Sequence, residues 1–195
     1  MRWGGTTLDR TDGPQHAQLL SDLITDVLPQ MVNFNPDKVY FTGVSGGSLT
    51  LTSAMIPMFG DRFNSGYMIM CGGLPPPNGL APEKLPNRIH FQTTTDELSS
   101  LKPLIPQAIQ SVQQAAQDSG LSTDDIAARF TIDGTPQGGH CAFDGKGFNS
   151  GIQKMANNFA KVMFNNQGIA GVTAKTLASI ADTPDPFSSN SNSNN

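Results

Sequence analysis

The sequence contains few charged residues and no excess of positive charge. Charged residues make up 14% of its 195 residues, and 16 Asp and Glu outnumber 12 Lys and Arg, which gives a formal net charge of −4. Binding to a nucleic acid depends on basic side chains that neutralise phosphates. The sequence has no basic stripe of this kind, so it argues against a nucleic-acid partner.

Long apolar runs are also missing. A membrane-spanning helix needs about 20 predominantly apolar residues, whereas the longest apolar runs here are only a few residues long, as at 67–71. The first residues, Met-Arg-Trp-Gly-Gly, do not contain the apolar region of a secretory signal. We therefore expect neither a membrane span nor a signal peptide in the chain as given.

Cysteine is scarce as well. Cys71 and Cys141 are the two cysteines, which allows at most one internal disulfide and excludes a four-cysteine metal site. A disulfide requires Cα atoms within about 7 Å of each other. Cys71 ends the second predicted strand and Cys141 follows the fourth, with one strand between them, so only loops could bring the two cysteines together, and the pairing stays open. The three histidines are dispersed and match no metal-ligand spacing, and we predict no metal or other cofactor.

What the sequence does contain is an alternation of strand and helix patterns. Short apolar and β-branched runs predict strands at 38–42, 67–71, 88–94 and 127–132, and helical spacing predicts helices at about 16–31, 49–58, 100–118 and 148–163. The predicted apolar face of the first helix consists of Leu19, Leu20, Leu23, Ile24, Val27, Leu28 and Met31. Such alternation favours an α/β fold with a mostly parallel sheet flanked by helices. We assign residues 1–181 to this domain and predict a disordered Ser/Asn-rich tail at 182–195.

The strongest functional motif is Gly43-x-Ser45-x-Gly47, which lies between a predicted strand and a predicted helix. A serine on such a turn is held in a strained backbone conformation that exposes its hydroxyl above the sheet. The N–H of Gly46, at the helix N-terminus, could stabilise an oxyanion. A phosphate-binding loop is the other glycine-rich alternative, and it fails because no Lys-Ser/Thr pair closes the motif.

A serine nucleophile needs a base and an acid that orients the base. Of the three histidines, His16 and His90 fit structural or surface roles, whereas His140 lies in a loop after the fourth predicted strand and is the candidate base. Asp96 ends the third predicted strand at the same sheet edge, and active sites collect at the carboxyl ends of parallel strands. We therefore predict Asp96 as the acid, with two competing candidates, Glu97 and Asp133.

The order Gly-x-Ser-x-Gly, then Asp96, then Gly-Gly-His140 resembles the C-terminal half of an α/β-hydrolase. Within that superfamily the chain is most similar to secreted fungal esterase-type proteins, including those related to feruloyl esterases and polyhydroxybutyrate depolymerases. The resemblance implies Ser45 as nucleophile, Asp96 as acid, His140 as general base and Gly46 as an oxyanion donor. It also implies a secreted protein, oxidised Cys71 and Cys141, and a small-molecule or polymeric ester as substrate.

One departure from the family concerns the strands that normally precede the nucleophile. Only 44 residues precede Ser45, and they hold one predicted helix and one predicted strand. The upstream strands and the loop that supplies the second oxyanion N–H have no counterpart. We therefore expect an N-terminally truncated chain, with an unpaired edge on the strand before Ser45. Loss of one oxyanion donor lowers rates by about 100- to 1,000-fold, so we expect weak or no activity.

Two alternatives to a triad esterase stay open. Residues 43–48 also resemble the serine motif of patatin-like lipases, and Asp133-Gly134 resembles their Asp-Gly motif. That interpretation gives a Ser-Asp dyad with no role for His140. The other alternative is a non-catalytic remnant or binding domain on a hydrolase scaffold.

Overall fold

A five-stranded sheet lies at the centre of the protein. The computed structural model describes residues 8–63, 66–145, 147–165, 175–177 and 186–187. The strands are β1 (Tyr40–Val44), β2 (Gly66–Met70), β3 (Ile89–Gln92), β4 (Phe130–Asp133) and β5 (Lys175–Thr176), in the order β1-β2-β3-β4-β5. The first four are parallel and β5 is antiparallel to β4. β1 stands at one end of this order, so its outer edge has no strand partner within the described residues.

Helices connect and cover the strands, which confirms the predicted α/β class. They are α1 (Gly13–Asp22), α2 (Leu28–Met31), α3 (Gly46–Thr50), α4 (Ile56–Phe59), α5 (Leu104–Asp118), α6 (Thr123–Arg129) and α7 (Phe148–Asn165). Two π-helical segments, Leu23–Val27 and Leu51–Met55, join α1 to α2 and α3 to α4. Short 3₁₀ turns occur at Pro36–Lys38, Pro82–Lys84 and Phe143–Gly145. Within the described residues, no helix has the length and hydropathy of a membrane span.

Both faces of the sheet are buried, as strand β2 shows. All five of its residues are buried, and because side chains alternate along a strand they enter two separate apolar clusters. Tyr67 and Ile69 belong to the cluster that contains α1 and α5 side chains. Met68 and Met70 belong to a second cluster with Met155, Val162 and Met163 of α7. The sheet is thus a middle layer between two helical layers.

One predicted strand is partly helical in the structure, and one observed strand was not predicted. Residues 127–129, assigned to a strand, are the end of α6, which begins after Ser122; the Ser122 side chain accepts a hydrogen bond from the Asp125 N–H and caps the helix. This cap, followed by acidic residues in the first turn, stabilises a short helix just before β4. The two-residue strand β5 was not predicted, because it has too few residues for a periodic pattern.

Only three of the seven residues predicted for the apolar face of the first helix are buried or partly buried. Ile24 is buried, and Leu20 and Leu28 pack partly against the core. The other four members are 42–73% exposed: Leu19, Leu23, Val27 and Met31. Small residues of α1, Ala17 and Ser21, take the buried positions instead. The π-helical segment changes the residue spacing at Leu23–Val27, so a simple 3.6-residue period does not describe the whole helix.

Only two residues of the predicted disordered tail, 182–195, lie within the described residues. Phe187 packs partly against the core, and the Lys102 ammonium lies 5.7 Å from the centre of its ring. Pro186 lies against Gly134. The other residues of that prediction, 182–185 and 188–195, lie outside the described residues.

Candidate active site

Three side chains form a hydrogen-bonded chain at the carboxyl ends of parallel strands. Ser45 follows β1, Glu97 lies in the loop after β3, and His140 lies in the loop after β4. Nε2 of His140 lies 2.8 Å from Oγ of Ser45, and Nδ1 of His140 is hydrogen-bonded to Oε1 of Glu97. A carboxylate can only accept, so Nδ1 carries the proton and Nε2 is left to accept from the serine hydroxyl.

The backbone of Ser45 has the strained conformation expected of a nucleophile elbow. Its φ is 52° and its ψ is −116°, outside the three regions that L-residues ordinarily occupy. Such a conformation costs on the order of 1–3 kcal/mol and persists only where surrounding structure enforces it. Here the Ser45 N–H donates to the Met70 carbonyl at 2.9 Å, and its carbonyl accepts from Leu49 N–H at 3.2 Å. These bonds fix the turn between β1 and α3.

The residues around Ser45 explain how the chain holds this turn. A β-carbon at Gly43 would lie 2.7 Å from the Ser48 nitrogen and 2.8 Å from the Gly47 carbonyl carbon, so a glycine is required there. Buried Ser48 joins the elbow to β2: its Oγ accepts from Met70 N–H at 2.9 Å. The same Oγ lies 2.6 Å from the Met70 carbonyl and 2.8 Å from the Gly43 carbonyl, which share its one proton.

Glu97, and not the predicted Asp96, is the acid that contacts His140. The Glu97 side chain is fully buried. Its Oε1 also accepts from Leu98 N–H at 2.8 Å, and its Oε2 accepts from the Thr93 hydroxyl at 3.3 Å. Asp96 is exposed, because residues 95–96 form a turn whose tip it occupies. This turn directs the next residue, Glu97, back towards the sheet, so the prediction of Asp96 was wrong by one position.

The loop that carries His140 is hydrogen-bonded to the loop that carries Glu97. Thr95 N–H donates to the Pro136 carbonyl at 3.0 Å, and Asp96 N–H donates to the Gly138 carbonyl at 3.1 Å. The Thr94 hydroxyl donates to the Gly139 carbonyl at 3.1 Å. The backbone of Asp96 therefore helps to position His140, although its carboxylate does not contact the histidine.

A disulfide anchors the same loop from the other side. Cys71, at the end of β2, is bonded to Cys141, with a Cα–Cα distance of 5.5 Å. Strand β3 lies between β2 and β4. The bridge therefore connects the loop after β2 to the loop after β4, and the sequence had left only such a connection between loops open. Gly151 of α7 packs directly against the same loop, since a β-carbon at this position would collide with the Cys141 carbonyl oxygen.

Positive φ angles at residues other than glycine are concentrated around this site. They occur at Arg10, Ser45, Cys71, Cys141 and Asp144. Two of these residues form the disulfide and one is the elbow serine. Strained backbone is characteristic of functional sites, where the rest of the fold maintains it.

The remaining candidates from the sequence lie apart from the chain of three side chains. His16 lies in α1 with its Nδ1 3.6 Å from Asp12 Oδ2. His90 is fully buried in β3 and is hydrogen-bonded to Thr131 and Gln92. Burial, with a smaller effect from the charge of Arg88, lowers the pKa of His90 from 6.5 to about 4.

Asp133 does not form the dyad that a patatin-like arrangement requires. Its Oδ1 accepts from the N–H of Thr135 at 3.0 Å and from the hydroxyl of Thr135 at 2.7 Å. Its Oδ2 is buried and has no hydrogen-bond partner within the described residues. The Ser45 hydroxyl bonds to His140 instead.

Two contacts of the site were not foreseen from the sequence. In the first, the Phe148 ring, which is 42% exposed, has its centroid 6.2 Å from that of the His140 ring. Leu98, the residue after Glu97, is also exposed, at 47%. The second contact involves Arg10. The guanidinium of Arg10 lies against Gly46: a β-carbon there would collide with Nη2 and would lie 3.1 Å from Cζ. Nothing in the local sequence around Arg10 indicates this contact, which depends on how α1 packs against α3.

Within the described residues, no three His, Cys, Asp or Glu side chains lie close enough together to hold a metal ion.

Comparison of the chain with models of known protein families and with curated proteins gives no match. The geometry around Ser45 is therefore the basis for proposing a function.

Proposed function

We propose that the protein is a serine hydrolase that cleaves carboxylic esters through an acyl-enzyme. The observation that carries the proposal is the hydrogen-bonded chain Ser45–His140–Glu97, with Ser45 in a strained turn at the carboxyl end of β1. Serine, acid and histidine follow one another along the chain in the order that α/β-hydrolases use. Together with the parallel strands, this order supports the proposed relationship to that superfamily.

In the proposed reaction, Ser45 Oγ attacks the ester carbonyl carbon while His140 Nε2 takes the hydroxyl proton. The carbonyl oxygen becomes an oxyanion, which the N–H of Gly46 stabilises. When the carbonyl re-forms, the bond to the alcohol oxygen breaks and His140 returns the proton to that oxygen. Water then repeats the sequence on the acyl-enzyme. Glu97 holds His140 in the required tautomer and stabilises the imidazolium that forms in each step.

The surroundings of the site also bear on substrate and compartment. Phe148 and Leu98 offer exposed apolar surface beside His140 and Glu97, which suits an ester with an apolar acyl or alcohol part. The disulfide supports secretion, because disulfides persist in oxidising compartments. The ester itself, small-molecule or polymeric, is to be found by substrate profiling.

The first test is intact-mass analysis after treatment with a fluorophosphonate. Its phosphorus is attacked by an activated serine with loss of fluoride, so the parent chain should gain one adduct. Ser45→Ala should gain none. Ser53→Ala is the matched control, because Ser53 lies on the same helical run and donates to the Leu49 carbonyl at 2.7 Å; it should be labelled like the parent. An unlabelled parent chain contradicts the proposal.

A second test separates the triad from a Ser-Asp dyad. His140→Ala removes the base, and a triad enzyme should lose roughly 10⁴- to 10⁶-fold in kcat on a p-nitrophenyl ester. A dyad enzyme would retain its activity and would instead lose it in Asp133→Asn. Labelling at parental rate in His140→Ala would therefore reject the proposed mechanism.

A further inference from the structure

The contact between Arg10 and Gly46 places a positive charge beside the proposed nucleophile. Gly46 is the residue whose N–H faces the developing oxyanion in a nucleophile elbow. Nη2 of Arg10 occupies the space of a Gly46 side chain, and Cζ and Nη1 lie 3.1 and 3.6 Å from the position of a Gly46 β-carbon. The guanidinium thus lies against the residue that directly follows the proposed nucleophile, Ser45.

The fold around Arg10 explains why the guanidinium lies there. Arg10 is in the turn before α1, and its carbonyl accepts from Gly13 N–H at 2.8 Å. Gly13 lets α1 approach the helical run after Ser45 closely, since a β-carbon there would lie 3.3 Å from Cβ of Ala54. Arg10 itself has a φ of 47°, which is strained for a residue with a side chain. The helix contact and the strained turn together direct the side chain to Gly46.

We propose that the guanidinium of Arg10 is the second donor to the oxyanion, beside the N–H of Gly46. This inference rests on the proposed function. A guanidinium carries five N–H donors and no acceptor, and hydrogen bonds from a charged donor to an anion are about twice as strong as neutral ones. Arg10 donates a hydrogen bond and transfers no proton: the negative charge moves onto the carbonyl oxygen as Ser45 attacks and leaves it when the alcohol departs. A side chain thus fills the role that a backbone N–H has in the superfamily.

The test compares Arg10→Met with the parent and with Arg62→Met. Arg62 is the matched control, because it donates to Ser21 of α1 at 2.9 Å and has no part in the site. We expect Arg10→Met to lower kcat on p-nitrophenyl butyrate about 10²- to 10³-fold with little change in KM, as for loss of one oxyanion donor. A trifluoromethyl ketone, whose adduct with Ser45 is an oxyanion, should bind more weakly by a similar factor. Arg62→Met should behave like the parent.

Gly46→Ala provides a second variant that leaves Arg10 in the sequence. Gly46 is helical and its φ is not positive, so alanine fits the backbone and keeps the N–H. Its β-carbon takes the space of the guanidinium and displaces it. We expect Gly46→Ala to lose about as much kcat as Arg10→Met, and the double variant to lose little more, because both changes remove one interaction. This variant also keeps the test valid if Arg10→Met does not fold.

The outcomes separate this inference from the proposed function. If fluorophosphonate labels the parent and Arg10→Met at equal rates and kcat is unchanged, the oxyanion role is wrong while the hydrolase stands. The role is also wrong if losses are confined to KM for substrates that carry a carboxylate, because Arg10 then binds substrate. If the parent is not labelled at all, the proposed function fails and the role of Arg10 fails with it.

Discussion

Cys141 directly follows His140 and is bonded to Cys71, so one covalent bridge fixes the loop of the proposed base to the end of β2. The nucleophile elbow touches that same strand end, because Ser45 N–H donates to the carbonyl of Met70, the residue before Cys71. The hydroxyl of Ser45 and the imidazole of His140 are 95 residues apart in sequence. The bridge to Cys71 and the backbone hydrogen bond to Met70, the last residue of β2, hold them together.

Removing this bridge should lower both stability and activity. In Cys71→Ser/Cys141→Ser the unfolded chain gains the freedom of a loop of 70 residues, and we expect a loss of about 4 kcal/mol in the free energy of unfolding. Below the melting temperature, we expect kcat to fall roughly 10- to 100-fold, because the loop of His140 loses one anchor and small misplacements are costly. Urea unfolding and ester hydrolysis measure the two effects.

Reductant supplies the control for the disulfide prediction. Dithiothreitol should reproduce both losses in the parent chain and change nothing in the double serine variant. Parental kcat in the folded double variant would show that the hydrogen bonds to the loop after β3 suffice to position His140.

The acid of the site can be tested with two neighbouring residues. Glu97→Gln keeps the shape of the side chain but removes the charge that holds the His140 tautomer, and we expect kcat to fall about 10³- to 10⁴-fold. Asp96→Asn should change kcat little, because its exposed carboxylate does not contact His140. Labelling by fluorophosphonate reports the same difference without a known substrate. An equal loss of kcat in both variants, or a larger loss in Asp96→Asn, would contradict Glu97 as the acid and favour Asp96.

This pair shows where sequence reasoning reaches its limit. Ser45 and His140 were predicted as site residues because a glycine-bounded serine after a strand, and a histidine after a later strand, are local patterns. The choice between Asp96 and Glu97 depends on a turn at 95–96 that exposes one and buries the other, and adjacent residues with the same chemistry carry no signal for it. The contact between Arg10 and Gly46 depends on how α1 packs, so no local sequence pattern could predict it. The mostly parallel sheet, by contrast, was predicted from strands and helices that follow one another along the sequence, and β1–β4 are parallel.

The two outer glycines of the serine motif should differ sharply in their tolerance of alanine. At Gly43 a β-carbon would meet backbone atoms of Gly47 and Ser48, which cannot move away without deforming the elbow. We expect Gly43→Ala to destabilise the protein by about 1–3 kcal/mol or more, as overpacked sites do. At Gly47 a β-carbon meets nothing within 4 Å, and alanine in a helix gains up to about 1 kcal/mol over glycine.

Urea unfolding of the two alanine variants measures this difference, and fluorophosphonate labelling shows whether the elbow is still assembled. Each variant serves as the control of the other, because both replace a glycine of the same motif by the same residue. Equal stabilities in Gly43→Ala and Gly47→Ala would contradict the steric argument.

Stability should fall as the pH falls through the range in which His90 differs between the folded and unfolded states. Its pKa is 6.5 when unperturbed and about 4 in the buried site. Between these values the unfolded state binds the proton and the folded state does not, so acid favours unfolding. The contribution of His90 to the free energy of unfolding should be fully present above about pH 6.5 and should be lost progressively down to about pH 4, for a total of roughly 3 kcal/mol.

Urea unfolding at pH 4, 5, 6 and 7 measures this dependence of stability on pH. His90→Gln should flatten the curve in this range. An equally steep curve in His90→Gln would assign the acid sensitivity to other groups.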